Sequence, residues 1–150
     1  MLLATVKDAP AIAALHQASF AKGWSADDIA NMLEAKDAFA IINPAKTGMI
    51  ICKIAADEAE IYTICVHPAA RGKGIGSALL AKALDIAGQR GAKAMFLEVD
   101  ATNTAALNLY KKAGFAKVGI RKGYYHHEGK EGKEGKAAAP TDAMVLKKPL

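Results

Sequence analysis

The stretch Arg71-Gly72-Lys73-Gly74-Ile75-Gly76-Ser77 carries the densest chemical signal in the chain. It follows the apolar run Ile61 to Val66 and the dipeptide His67-Pro68, and it leads into a helical pattern. Glycine is about 1 kcal/mol poorer than alanine in a helix, so three of them in five residues need a reason. A tight turn is one. The other is that glycine lets several backbone N–H groups converge on a phosphate, with the helix dipole, Arg71 and Lys73 adding positive potential. A diphosphate suits such a loop. The dinucleotide fingerprint GxGxxG does not fit, because its third glycine would fall on Ser77. The GxxxxGK[ST] loop fails too, since Lys73 lies between glycines.

Glu98 is the second anomaly, a carboxylate in the otherwise apolar Met95-Phe96-Leu97-Glu98-Val99. Burial makes such a group hold a proton more readily, as a general base must. Two plainer readings stay open: a wet strand end, or a pairing with a lysine. Tyr110, at helical spacing from Ala106 and Ala113, reads by itself as a core aromatic. Asn103 suits a helix N-cap. Cys52 and Cys65 lie inside apolar, strand-like runs, where free thiols act as small hydrophobes. The sequence has no CxxC, HExxH or Cys/His ligand set, and His126-His127 is a bare pair in a polar stretch, so no metal is expected.

These residues need elements to position them. Leu2 to Val6 reads as a strand, followed by a helix that Asp8 caps, with Pro10 in its first turn and Ile12, Leu15 and Phe20 inward. Ser25-Ala26-Asp27-Asp28 has the form of a capping box ahead of Ile29, Met32 and Leu33. Three β-rich runs follow, Ala38 to Ile42, Met49 to Ala55 and Glu60 to Val66, separated by Asn43-Pro44 and Asp57-Glu58. The period then changes: a helix from about Gly74 to Gln89, a strand Ala94 to Val99, a helix from about Thr104 to Lys112 and a strand Phe115 to Arg121. Such alternation implies a parallel pair inside an otherwise antiparallel sheet. Three tandem Glu-Gly-Lys triplets between Glu128 and Lys136 read as a mobile loop, within a loop spanning 126–141, and Asp142 to Lys148 as a last strand.

Composition narrows the class. With 150 residues, 52% hydrophobic and 23% charged, the chain has the makings of one compact domain over residues 1–150. No apolar run approaches the roughly 18 residues of a membrane span, and the start Met1-Leu2-Leu3 is unlike a signal peptide, which places the protein in the cytoplasm without a membrane partner. The formal charge of +5 suits an anionic ligand, whereas 6% aromatics and no dense basic stripe argue against direct nucleic-acid binding.

Arg71-x-x-Gly74-x-Gly76 after Val66-His67-Pro68 resembles the acyl-CoA signature R/Q-x-x-G-x-G/A of the GCN5-related N-acetyltransferase (GNAT) superfamily. The resemblance narrows toward the bacterial ribosomal-protein N-terminal alanine acetyltransferases of the RimI type. Trp24-Ser25, Leu97-Glu98-Val99, Asn103, Leu109-Tyr110-x-x-x-Gly114-Phe115, Arg121 with Tyr124-Tyr125, and Asp142-Ala143-Met144 match that group. Gly123 stands where the group often has asparagine and His126 where it often has proline, and the triplet repeat is unusual for it.

The resemblance implies an α+β GNAT fold, a mixed and mostly antiparallel sheet of six to seven strands with a central parallel pair and about four helices. It implies acetyl-CoA as cofactor, CoA as product, and direct attack of an amine in a ternary complex. Arg71, Gly72, Lys73, Gly74, Ile75, Gly76 and Ser77 would hold the diphosphate. Ile64, Cys65 and Val66, on a strand with a bulge, would hold pantetheine with Asn103 and Tyr110. Glu98 would be the base and Tyr110 the acid, since a phenol of reference pKa about 10 can protonate a thiolate whose thiol lies near 8.5. An α-amine, with a reference pKa of about 7.7–8.0, asks less of the base than a lysine near 10.4. Trp24, Tyr124 and Tyr125 are assigned to the acceptor side. The implied partner is a peptide or protein N-terminus, for example of a ribosomal protein, and the enzyme would be a monomer or homodimer. A small-molecule amine acetyltransferase (amino acid, polyamine or aminoglycoside) and a non-catalytic acyl-CoA sensor are the alternatives.

Overall fold

Turn chemistry and apolar alternation set most of the first strands. The computed structural model describes residues 1–20, 22–125 and 139–150, which form two compact units, 1–95 with 149–150 and 96–148. In the first unit β1 (Leu2–Leu3), β2 (Ala38–Ile42), β3 (Gly48–Ala55) and β4 (Glu58–Val66) pair successively as the expected antiparallel meander. The β2–β3 turn is fixed by buried Asn43, whose Oδ1 accepts the N–H groups of Thr47 and Gly48, both at 2.8 Å.

β1 is shorter than the sequence suggests. The chain turns at Val6–Asp8, and Asp8 Oδ2 accepts the Thr5 N–H at 2.8 Å. Its carboxylate is thus spent upstream, and α1 (Ala9–Ser19) has no side-chain cap. Ile12 and Leu15 are buried as expected, but Phe20 is 43% exposed. The helix ends at Ser19 and Phe20 is extended (φ −129°, ψ 143°), off the helical period. α2 (Ala26–Glu34) opens on the expected capping box: Ser25 Oγ accepts from Asp28 N, and Asp28 Oδ2 accepts from Ser25 N, each at 3.1 Å.

Ile12, Leu15 and Ile29 pack with Ala40, Ile42, Met49, Ile51 and Cys65, which places α1 and α2 on one face of the meander. Each such aliphatic side chain contributes about 1.5–3 kcal/mol when fully buried. Gly48, next to Met49, faces the other side. There a Cβ on Gly48 would stand 2.7 Å from Ile75 Cγ2 and 3.1 Å from Leu79 Cδ1, so α3 (Ile75–Gln89) lies close against this strand.

The bulge expected in β4 is present. Ile51 pairs with Thr63 but Cys52 pairs with Ile61, so Tyr62 is the extra residue. Because side chains alternate faces, one extra residue moves the rest of the strand over. Thr63 and Cys65 therefore share the α1–α2 face with Ile51 and Met49, while Ile61 shares the opposite face with Cys52.

The second unit holds α4 (Thr104–Lys112), β6 (Ala116–Tyr125), all but the last residue of β7 (Thr141–Pro149) and all but the first two residues of β5 (Ala94–Asp100), with the strands in the order β5-β7-β6. β6 runs four residues past the expected Arg121. It continues through Gly123, in left-handed backbone at φ +63° and donating its N–H to Asp142 Oδ1 at 2.9 Å. Glycine and asparagine tolerate that region best, which accounts for glycine where the RimI group often has asparagine. The Glu-Gly-Lys triplets and His126-His127 lie outside the described residues, and Thr141, placed in the loop from sequence, begins β7.

Candidate active site

The glycine loop belongs to the first unit. His67 Nδ1 accepts the Ala69 N–H at 3.1 Å, and Ala70 N–H donates to His67 O at 2.8 Å, which makes the turn at Pro68–Ala70. Arg71 Nε donates to Val66 O at 3.0 Å and ties the side chain back to the end of β4. Gly72 and Gly74 then take left-handed φ values of +79° and +80°, and a Cβ on either would meet nothing within 4 Å. Their side-chain positions are open space.

Gly74 is the N-cap of α3, where serine, threonine, aspartate or asparagine would normally place an oxygen on the first N–H groups. No side-chain cap forms and the first turn holds no acid. The N–H groups of that turn, with Arg71 and Lys73 beside them, are left for an external anion. Gly76 and Ser77 lie in the first turn of α3 itself. Such a cradle fits a diphosphate.

β4 has a polarity of its own. His67 N–H donates to Thr47 O on the β3 side. In an antiparallel ladder, residues alternate between bonding their partner with both backbone groups and with neither. Ile64 and Val66 therefore turn their N–H groups away from β3, and Cys65 turns toward it. Burial pushes the Cys65 thiol up to about 11, with Ser19 and Arg71 opposing, and the Cys52 thiol to about 12. Both cysteines are free and protonated, as packing groups are.

Trp24 sits on the α1–α2 connection. Its ring stacks on His16 (centroids 4.4 Å apart, 9° between planes), and the Trp24 backbone N–H donates to His16 Nδ1 at 3.0 Å. Phe20 covers the same imidazole at 4.4 Å. Sequence spacing does not single out His16, because nothing in it shows that the chain returns to this residue at position 24. Desolvation holds the His16 pKa below the ordinary 6.5. The unfolded chain thus takes up a proton that the folded one refuses, so this contribution to stability is complete above about pH 6.5 and is lost as pH falls through the folded value. Urea unfolding is expected to lose more stability between about pH 7 and about pH 5 in the native protein than in His16→Gln; equal losses would refute the assignment.

In the second unit, Glu98 does not meet the apolar burial expected from its strand. Its side chain keeps 29% exposure, and Oε1 accepts a hydrogen bond from Arg121 NH1 at 2.8 Å. The plainer reading of an ion pair is met, by arginine instead of lysine. Arg121 is pushed up by that hydrogen bond and by the Glu98 charge, and its Cζ lies 4.5 Å from the Tyr124 ring centroid. Tyr124 meets Tyr125 edge-on at 5.2 Å. The Tyr125 phenol is raised first by burial and then by the charges of Glu98, Tyr124 and Asp100. These side chains of β5 and β6 form one cluster in the second unit.

Asn103 caps α4: Oδ1 accepts the Ala106 N–H at 3.1 Å, leaving its Nδ2 as a donor. Tyr110 is 4% exposed and packs edge-on against Phe115 at 5.7 Å. Asp100 holds the start of this segment through Thr102 N–H at 2.9 Å and Thr141 Oγ1 at 2.8 Å.

The comparisons with known proteins agree with the loop. A family model described as the Acetyltransferase (GNAT) family matches residues 9–115. The ribosomal protein bS18-alanine N-acetyltransferase of Escherichia coli (strain K12) is 35% identical over 120 residues, covering 79% of this chain and 81% of that one. The N-alpha-acetyltransferase RimI of Mycobacterium tuberculosis (strain ATCC 25618 / H37Rv) is 49% identical over 72 residues, 48% of this chain and 44% of its own length. Among solved structures, the crystal structure of the Escherichia coli ribosomal-protein-S18-alanine N-acetyltransferase has a TM-score of 0.78 and 29% identity over 99% of this chain and 92% of that one. Seven strands and four α-helices among the described residues, a family model over most of the chain, and relatives that carry the same activity in their names lead to one statement: the chain belongs to the GNAT family of acetyltransferases.

Proposed function

We propose that this acetyl-CoA-dependent N-acetyltransferase acts on the N-terminal α-amine of a protein or peptide, such as a ribosomal protein, in the cytoplasm. The observation that carries the reading is the uncapped start of α3, where Gly72 and Gly74 leave open, left-handed backbone beside Arg71 and Lys73. Acetyl-CoA, when bound, supplies an acetyl group activated as a thioester. Arg71, Gly72, Lys73, Gly74, Ile75, Gly76 and Ser77 hold its diphosphate with backbone N–H groups and two cations. The N–H groups of Ile64 and Val66, with Cys65 between them, receive the pantetheine arm, and Asn103 Nδ2 and Tyr110 add contacts.

Glu98 accepts the proton of the attacking amine, and Tyr110 gives a proton to the departing sulfur. Trp24, Tyr124 and Tyr125 face the acceptor. Amide formation needs a neutral amine, which an α-amine provides at neutral pH far more often than a lysine does. The acceptor in the name of the Escherichia coli relative is such an amine.

The test incubates the protein with acetyl-CoA and a panel of alanine-initiated peptides, amino acids, polyamines and aminoglycosides, read by thiol release and mass spectrometry. Acetylation at a peptide α-amine is expected. Turnover confined to small amines would overturn the acceptor assignment, and CoA binding without thiol release from any of them would leave a sensor.

A further inference from the structure

Glu98 stands on β5 and Arg121 on β6, yet β7 lies between those strands in the order β5-β7-β6. Two strand spacings amount to roughly 10 Å. The 2.8 Å contact therefore exists because two long side chains reach toward each other over the middle strand. The residue of β7 in register with Arg121 is Ala143, which is fully buried. Cross-strand partners share a face, so a bulkier side chain at 143 would stand in the path of the pair.

The guanidinium has a second anchor in the Tyr124 ring, 4.5 Å from Cζ. Stability does not explain the arrangement, because side chains that are 53% and 29% exposed belong to the class of ion pairs that add little to folding. Fixing one carboxylate oxygen is what it does accomplish. Among the described residues, Oε1 receives the Arg121 hydrogen bond and Oε2 receives none.

We propose that Arg121 is a positioning residue, braced by Tyr124, which holds Glu98 by Oε1 and presents Oε2 to the acceptor amine. This rests on the reading of Glu98 as the proton acceptor. The guanidinium also carries the same charge as an ammonium ion, and so favours the neutral form of an amine held at Oε2. The proton leaves the amine nitrogen for Oε2 while the Arg121–Oε1 hydrogen bond stays in place.

The experiment measures kcat and both KM values for Arg121→Gln, Arg121→Lys, Glu98→Gln and the double variant Glu98→Gln/Arg121→Gln, with melting temperatures as a check on folding. Arg121→Gln is expected to lower kcat about tenfold or more while the KM for acetyl-CoA stays within about twofold. Arg121→Lys should regain part of the loss. In the Glu98→Gln background, Arg121→Gln should add nothing, since a group acting through Glu98 has nothing left to act on. Full kcat in Arg121→Gln, or an undiminished further loss in the double variant, would overturn the positioning role. Native kcat in Glu98→Gln would instead remove the base assignment, and this inference with it.

Discussion

Replacing Tyr110 by phenylalanine is expected to lower kcat by roughly 10²–10⁴-fold while CoA still binds, because the change removes the hydroxyl that gives the departing sulfur its proton. The ring is 4% exposed and packs edge-on against Phe115. Phenylalanine preserves that contact, so folding is largely kept. What goes is the hydroxyl. A reference phenol near 10 is a weaker acid than a thiol near 8.5, so transfer from phenol to free thiolate is uphill by about 1.5 units, or about 2 kcal/mol, a small cost that amide formation from the thioester offsets. Calorimetry with CoA and steady-state kinetics on the same protein separate the two effects. Native kcat across the pH range would dismiss the acid role, and lost CoA binding would leave Tyr110 a cofactor contact instead of the acid.

Local rules located the elements wherever the residues around them fix their own conformation. β2 and α4 have the bounds that the apolar run Ala38 to Ile42 and the segment Thr104 to Lys112 suggest. The capping box at Ser25 forms as written, since both partners lie three residues apart. Misplacements came where a group had two uses. Asp8 bonds Thr5 in place of capping α1, and Phe20 leaves the helical period to lie on His16. β6 ran past its expected end because both of its faces are largely exposed, so no alternation marks where it stops.

The candidate site divides along the same line. The loop from Arg71 to Ser77 was legible because glycine's conformational freedom is a property of the residue, and the left-handed values at Gly72 and Gly74 use it. The resemblance implied a bulge in β4, but its place at Tyr62 was not legible, since alternation of buried positions through Ala59, Ile61, Thr63 and Cys65 continues across it. Nor was the partner of Glu98. Arg121 reaches it over an intervening strand, from 23 residues away, and only the register that sets Ala143 beside Arg121 clears the path.

Gly74→Glu should weaken CoA binding by roughly 10²-fold or more, through two effects that a companion variant separates. The first is strain. At φ +80° an L side chain costs about 1–2 kcal/mol, which Gly74→Ala alone would report. The second is competition. A carboxylate at the N-cap position satisfies the same N–H groups and the same helix dipole that an incoming phosphate needs, and it repels the phosphate besides. Each charge-assisted hydrogen bond so displaced is worth about 1.5–3 kcal/mol. No clash contributes, because a Cβ there meets nothing within 4 Å, and the helix itself gains a cap. The protein should therefore stay folded while its cofactor leaves, with the glutamate effect exceeding the alanine effect and shrinking as salt is raised. Equal CoA affinity in the native protein and Gly74→Glu, measured by calorimetry, would mean that α3 does not receive the diphosphate.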